Sequence, residues 1–219
     1  MLTIYGVYRS RATRPLWLLE EIGLPYAHEP VIQAYRLPDA HAADAPLNTR
    51  SAAFLAVNPM GSIPSMDDDG FVLHESLAIT LYLARKHGGD LAPKDLREEA
   101  SMIQWALFAA TSIETPALDI QKAIGDGKSV TAENKAKIDA YAKDLERPFD
   151  VLEAHLKSNE YLVGGRFTAA DINVAEIVRY AQGHAPLFSG RPALKAWLET
   201  CQARPGFKAM WEKRLREPA

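Results

Sequence analysis

NPMGSIPSMDDDGFVLHES, residues 58–76, is the stretch on which the reading of the chain turns. Its middle is a hairpin: Ser65-Met66 and Phe71-Leu73 read as strands, and Asp67-Asp68-Asp69-Gly70 supplies turn chemistry between them. A Gly-Ser-Ile-Pro turn precedes the hairpin. An acid and a hydroxyl, Glu75 and Ser76, follow it just where apolar residues begin to recur at helical spacing over Leu77 to Lys86. Upstream, Leu2 to Tyr5 reads as a strand, Leu16 to Ile22 as a helix and Tyr26 to Ile32 as a second strand. Strand and helix in that order predict a small α/β domain.

Past His87-Gly88-Gly89, where Gly88 can close the helix in the left-handed conformation, strand signals almost vanish. Glu98 to Ala110 carries apolar residues at Met102, Trp105, Ala106 and Ala109. Ile138, Tyr141, Leu145, Leu152 and Leu156 mark one face of a long later helix that continues through Pro148. The fold class is therefore α/β followed by all-α: a first domain over residues 1–84, a linker over 85–95 and an all-helical domain over 96–219. Residues 33–51 are mixed and weakly periodic, a surface excursion that could reach over a nearby site.

Composition narrows the function. Apolar residues make up 47% of the chain and charged residues 24%, the balance of a soluble globular protein. No stretch approaches the roughly 20 apolar residues of a membrane span, and the N-terminus lacks a signal core, so a cytoplasmic location is expected. A net charge of −3 without any dense Lys/Arg block argues against nucleic acid as a partner. The single cysteine, Cys201, sits in the apolar run LKAWLETCQARPGF. It reads as a small buried hydrophobe, and it leaves no internal disulfide and no cysteine-cluster metal site; no metal is expected.

GGRFTAADI, residues 164–172, is a folding motif. Thr168 can cap a helix while Asp171 reaches back to the Thr168 N–H, and Phe167 and Ile172 fall at the two positions of a hydrophobic staple. Losing such a box is expected to cost about 0.5 to 2 kcal/mol.

Glu75-Ser76 has two readings. One is an ordinary helix start, with Ser76 as cap and Glu75 favouring the dipole. The other is a receptor for the zwitterionic end of an amino acid: first-turn N–H groups and a hydroxyl for its carboxylate, and the Glu75 carboxylate for its ammonium. Pro64 adds to the second reading. A cis bond at Ile63-Pro64 would turn the Ile63 backbone outward, able to pair with an extended peptide.

On these residues the chain resembles the cytosolic glutathione transferase superfamily, its bacterial serine-type members in particular. NPMGSIPSM and LHESLAITLYLARKHG look like the glutathione-binding half of a thioredoxin-like domain, and GGRFTAADI resembles a capping motif of the all-helical glutathione transferase domain that follows it. The resemblance implies that Pro64 is cis, that the Ile63 backbone pairs with the cysteinyl part of glutathione, and that Glu75 and Ser76 hold its γ-glutamyl end. It also implies a homodimer, with glutathione as co-substrate.

That family activates the thiol with a Tyr, Ser or Cys after the first strand. In IYGVYRSRATRPLWLLEE the candidates are Tyr5, Tyr8, Ser10 and Thr13. If Ser10 capped the first helix, Pro15 would be its fifth residue, at a cost of about 3 kcal/mol. Capping by Thr13 puts Pro15 in the first turn, where it is tolerated, and leaves Ser10 in the loop. The spacing from Tyr5 to Ser10 matches serine-type members, while Tyr8 stands where many members carry proline or a small residue and stays open as the alternate sulfur partner. Arg11 and Arg14 could add positive potential, though solvated surface positions suit both.

The expected activity is transfer of the glutathione thiolate to a small hydrophobic electrophile, with Tyr8, Trp105, Phe108, Thr111 and Ser112 as wall residues of its pocket. For each aromatic, plain core packing is an equal reading. The other readings are a docking module without activity, or glutathione-dependent peroxidase, isomerase or lyase chemistry on the same site. The end of the chain at Ala219, just after its last helix, favours the enzyme.

Overall fold

The computed structural model describes residues 1–125 and 131–217. Among the described residues four strands and ten α-helices follow one another: β1 (Leu2–Tyr5), α1 (Thr13–Ile22), β2 (Ala27–Glu29), α2 (Ala52–Val57), β3 (Ser65–Asp68), β4 (Phe71–His74), α3 (Ser76–His87), α4 (Leu96–Ser112), α5 (Glu114–Gly125), α6 (Ala132–Leu156), α7 (Ala169–Val178), α8 (Pro186–Ser189), α9 (Pro192–Ala203) and α10 (Pro205–Arg216). They divide into two units. The first holds Met1–Gly88 and the segment that begins at Pro205, and the second holds Gly89–Arg204. The expected helical domain over 96–219 therefore differs at its end. α10 lies in the first unit because it packs along α1, with Phe207 edge-on to Trp17 at 4.9 Å and Lys213 paired with Glu20. Residues 218 and 219 of that expected range lie outside the described residues.

In the first unit the sheet runs β2-β1-β3-β4, with β1 parallel to β2 and antiparallel to β3, and β3 antiparallel to β4. Ile4 opposes Met66, which opposes Leu73. Ile4 and Met66 are fully buried, as are Leu16, Trp17 and Leu18 of α1 and Ile79 and Leu83 of α3. Such side chains dominate folding energetics at about 1.5–3 kcal/mol each.

Several boundaries move for local reasons. The second strand is Ala27–Glu29 and not Tyr26 to Ile32, because Pro30 has no N–H for the ladder; Ile32 instead makes an isolated bridge to Asn48. The hairpin turn is only Asp69-Gly70, at φ 52° and 91°, since Asp67 and Asp68 pair with Thr3 and Leu2 of β1. Gly89, at φ 54°, and not Gly88 takes the left-handed conformation after α3. The excursion over residues 33–51 is pinned at its base by buried Asn48, whose Nδ2 donates to the carbonyls of Ala40 and Pro46.

In the second unit α4 buries Met102, Trp105, Ala106 and Ala109, the predicted face. α6 runs unbroken through Pro148, but Ala142 and Phe149 join Ile138, Leu145, Leu152 and Leu156 in its seam while Tyr141 is half-buried. Every residue of α7 is buried. The Thr168–Asp171 capping box forms, and Phe167 and Ile172 are buried as a staple requires. Asp171 does more than cap, because it also accepts from Leu162 N at 3.0 Å and from Trp197 Nε1 of α9 at 2.9 Å. Arg166, in the same loop, donates to both Glu98 oxygens and to the carbonyls of Asp90 and Ala92, and this bidentate contact holds the Glu98 carboxyl down at about 2. Cys201 is fully buried in the apolar core.

Candidate active site

Three backbone features of the first unit converge at Gly6. Its φ is 140°, and a Cβ there would lie 3.3 Å from both the Ala12 and Ile63 Cβ atoms and 3.6 Å from Pro64 Cα. The end of β1, the start of α1 and the Ile63-Pro64 bond thus share one corner, and that bond is cis. Asn58 shapes the turn leading to it. Its buried Nδ2 donates to Ser62 O at 2.8 Å and to Ser65 Oγ at 3.1 Å, and its Oδ1 accepts from Met60 N at 3.0 Å. His28 Nε2 lies 2.6 Å from Gly6 O, a contact that requires the tautomer with hydrogen on Nε2.

α1 begins at Thr13, with Ala12 in the N-cap position and no capping side chain. The expected Thr13 cap is therefore replaced by a different arrangement: Thr13 Oγ1 donates back to Ser10 O at 3.1 Å, which leaves Pro15 in the first turn. Ser10 stays in the loop, half-buried. Its hydroxyl donates to Val7 O at 2.6 Å and accepts from Ala12 N at 3.0 Å. So the hydroxyl is fixed in place but is not idle.

Tyr8 points elsewhere. Its ring is buried edge-on to His28 at 5.0 Å, and its hydroxyl lies 3.0 Å from that of Tyr26. Tyr26 donates to Glu20 at 3.0 Å, so the Tyr8 hydroxyl must be the donor to Tyr26. Burial pushes the phenols of both Tyr8 and Tyr26 above their ordinary value. These groups, with Glu20, Lys213 and His28, line a depression of about 620 Å³ at the C-terminal end of α1.

At α3 the residues fall differently from the expected helix start. Glu75 is the N-cap residue, exposed, at φ 68° and ψ 109°, and its side chain makes no capping bond. Ser76 is the first helical residue and is buried; its Oγ accepts from Arg14 Nη1 at 2.7 Å. Arg14 is thus a buried cation and not a solvated surface charge, and it ties the start of α1 to the start of α3. Arg11 is exposed. Sequence periodicity missed Arg14 because its partner lies 62 residues away; Pro15 one position later, which fixes it in a first helical turn, was the available signal.

In the second unit, Trp105 is buried edge-on to Phe108 at 5.6 Å and to His155 of α6 at 4.9 Å, which makes it a core residue. Phe108 and Ser112 are half-buried on the same helix. Thr111 is exposed and folds its hydroxyl onto Leu107 O at 2.9 Å. Among the described residues, no group of three or more His, Cys, Asp or Glu side chains could hold a metal ion, and no helix is long and apolar enough to cross a membrane.

Comparison with known proteins covers both units. Residues 8–86 match the family described as Glutathione S-transferase, N-terminal domain, and residues 99–205 match Glutathione S-transferase, C-terminal domain. Glutathione S-transferase 3 of Zea mays is 32% identical over 223 residues, 94% of this chain and 91% of that relative. Among solved structures, glutathione transferase F7 from Populus trichocarpa aligns with a TM-score of 0.79 at 30% identity, over 98% of this chain and 99% of the other. The theta class glutathione S-transferase of Xanthomonas axonopodis pv. citri, solved with glutathione bound, aligns with a TM-score of 0.73 at 26% identity, over 95% of each chain.

Proposed function

The chain belongs to the glutathione S-transferase family, and from that premise we propose that its first unit holds glutathione at the starts of α1 and α3 and activates the thiol with Ser10. It is a glutathione transferase with a thioredoxin-like domain and a helical domain. Glutathione is extended along the Ile63 backbone beside cis-Pro64, its γ-glutamyl carboxylate at the first turn of α3 and Ser76, its ammonium at Glu75. Arg14, bonded to Ser76, adds positive potential at the carboxylate end. The thiol gives its proton to solvent water, Ser10 donates to the resulting thiolate, and the thiolate attacks an electrophilic carbon, forming the C–S bond as the bond to the leaving group breaks and its electron pair departs with that group. The accessible residues of α4, Phe108, Thr111 and Ser112, serve a small apolar electrophile; Trp105 supports them from the core.

The observation that carries the choice of Ser10 is where each hydroxyl sends its proton. Tyr8 gives its proton to Tyr26 inside a closed chain that ends on Glu20. Ser10 gives its proton to Val7 O while Ala12 N–H holds the oxygen in place, so the hydrogen can swing to a sulfur without moving the oxygen. The exchange gives up a neutral hydrogen bond worth about 1 kcal/mol for a charge-assisted one of about 1.5–3 kcal/mol. The net corresponds to about one pKa unit on the bound thiol.

Ser10→Ala is accordingly expected to raise the pKa of bound glutathione by about one unit and to lower kcat/KM near neutral pH about tenfold, with recovery in alkali. Affinity for an S-alkyl glutathione, which has no thiolate to stabilise, stays as it was. Ultraviolet titration of the bound thiolate is the measurement. If Ser10→Ala titrates like the wild type while Tyr8→Phe shifts, the activator is Tyr8.

A homodimer of cytoplasmic location completes the reading. The edge strand β4 leaves Phe71 and Val72 exposed, and an unprotected apolar edge favours association. Phe71→Glu is expected to weaken self-association at least about tenfold by burying a charge at the contact. Sedimentation equilibrium that finds wild type and variant equally dimeric removes β4 from the interface.

A further inference from the structure

The loop that carries Ser10 is organised by residues 206 to 209 positions away in the chain. Tyr8 N donates to one oxygen of the Glu217 carboxylate at 2.8 Å, and Arg9 N donates to the other at 2.7 Å. Arg9 Nε donates to the Glu217 carbonyl at 3.2 Å, and Arg214 donates to Tyr8 O. Gln33 Nε2 donates to Arg9 O at 3.2 Å. Both backbone groups of the two residues immediately before Ser10 are thereby held, three of those four by Arg214 and Glu217 at the end of α10.

Local rules do not explain this carboxylate. Glu217 follows the last turn of α10, where a negative charge opposes the helix dipole. What offsets that cost is a pair of charge-assisted bonds to consecutive amides, a two-pronged contact that fixes both position and direction of the loop backbone. A side chain that breaks a local preference to hold a reactive segment is what a supported site requires. Ser10 needs such support: its oxygen must stay within reach of Ala12 N–H and Val7 O for its hydrogen to transfer from one acceptor to another.

We propose that Glu217 is a positioning residue for thiol activation: its carboxylate, clamped on the Tyr8 and Arg9 amides, sets the Ser10 hydroxyl where it can donate to the glutathione sulfur. The inference rests on the reading of Ser10 as activator. It predicts coupling between two residues 207 positions apart, 217 − 10, by the numbering of the chain.

The test is a double-mutant cycle on the full chain with glutathione and a chromogenic electrophile. Glu217→Ala is expected to raise the bound-thiol pKa and to lower kcat/KM roughly three- to tenfold, because a small misplacement of a reacting group is costly. Glu217→Gln, which keeps one acceptor oxygen, falls between. Hydrogen exchange at the Tyr8 and Arg9 amides accelerates in both variants. In the Ser10→Ala background, Glu217→Ala has almost no further effect on the thiol pKa, since the group it positions is gone. Equal shifts from Glu217→Ala in both backgrounds overturn the inference while leaving Ser10 as activator. A Ser10→Ala variant that titrates like the wild type overturns the Ser10 reading and this inference with it.

Discussion

Asp171→Ala will lower the unfolding free energy of the chain by about 4 kcal/mol, well beyond the 0.5 to 2 kcal/mol typical of a lost helix cap. The carboxylate accepts from Leu162 N at 3.0 Å and Trp197 Nε1 at 2.9 Å on one oxygen, and from Thr168 N at 2.9 Å and Thr168 Oγ1 at 3.1 Å on the other. It is fully buried, as is Thr168, so water cannot replace it. Truncation strands the Leu162 and Thr168 N–H groups and the indole N–H together, each at roughly 1 to 3 kcal/mol. Asp171→Asn keeps the shape but turns an NH2 toward one pair of donors, so about half the loss is expected. Urea unfolding of the three proteins decides the matter; a loss for Asp171→Ala no larger than an ordinary cap would mean that the links to Leu162 and Trp197 carry no weight.

The same residue gives a pH signature. Burial pushes the Asp171 carboxyl from its ordinary 3.8 up to about 6, against the pull of its four donors. A folded-state pKa above the unfolded one means that the folded state binds more protons between those values. The associated stability is fully present below about 4 and is lost as pH rises through about 6. The wild type carries that slope, and Asp171→Ala does not.

Legibility in the sequence followed the range of the interactions. The hairpin turn, the buried face of α4 and the capping box rest on near neighbours in the chain, and turn residues, helical spacing and the Thr168-to-Asp171 interval record them directly. The outlying cases are tertiary. Pro15 places Arg14 in a first helical turn but does not show that its guanidinium will be buried against Ser76, and nothing near Glu217 shows that it will hold a loop at the other end of the chain. The place of α10 on α1 depends on the fit of Phe207 to Trp17 and on the Lys213–Glu20 pair, both between residues far apart in the chain. Asn58 stands three residues before the Gly-Ser-Ile-Pro turn, and its bonds to Ser62 and Ser65 depend on how that turn closes. For the site, residue types were readable and the direction of each side chain was not: Tyr8 and Ser10 are two positions apart, yet one hydroxyl goes to Tyr26 and the other to Val7 O.

Glu75→Gly will make the protein more stable and nearly unable to hold glutathione. Glu75 sits at φ 68° and ψ 109°, outside the regions an L residue with a Cβ prefers, which costs on the order of 1 to 3 kcal/mol. Glycine adopts that backbone without a Cβ clash, and its own loss of freedom on folding, about 0.5 to 1 kcal/mol, leaves a net gain of about 1 kcal/mol. Nothing in the fold uses the side chain as a cap, since Glu75 is exposed and makes no capping bond at the start of α3. On the proposed reading, this strained residue with its unspent carboxylate at a helix start meets the ammonium of the γ-glutamyl group. Removing the carboxylate leaves that ammonium unpaired in the complex, and affinity is expected to fall about thirty- to a thousandfold. Glu75→Ala separates the two effects, because alanine keeps the strain and loses the charge: its affinity should fall as far as that of the glycine variant while its stability stays near the wild type. Titration calorimetry with glutathione and thermal unfolding of all three proteins give both readings. Equal affinities across the set would remove Glu75 from the site, and equal stabilities for the alanine and glycine variants would show that the strain at residue 75 is no larger than the about 0.5 to 1 kcal/mol that glycine loses on folding.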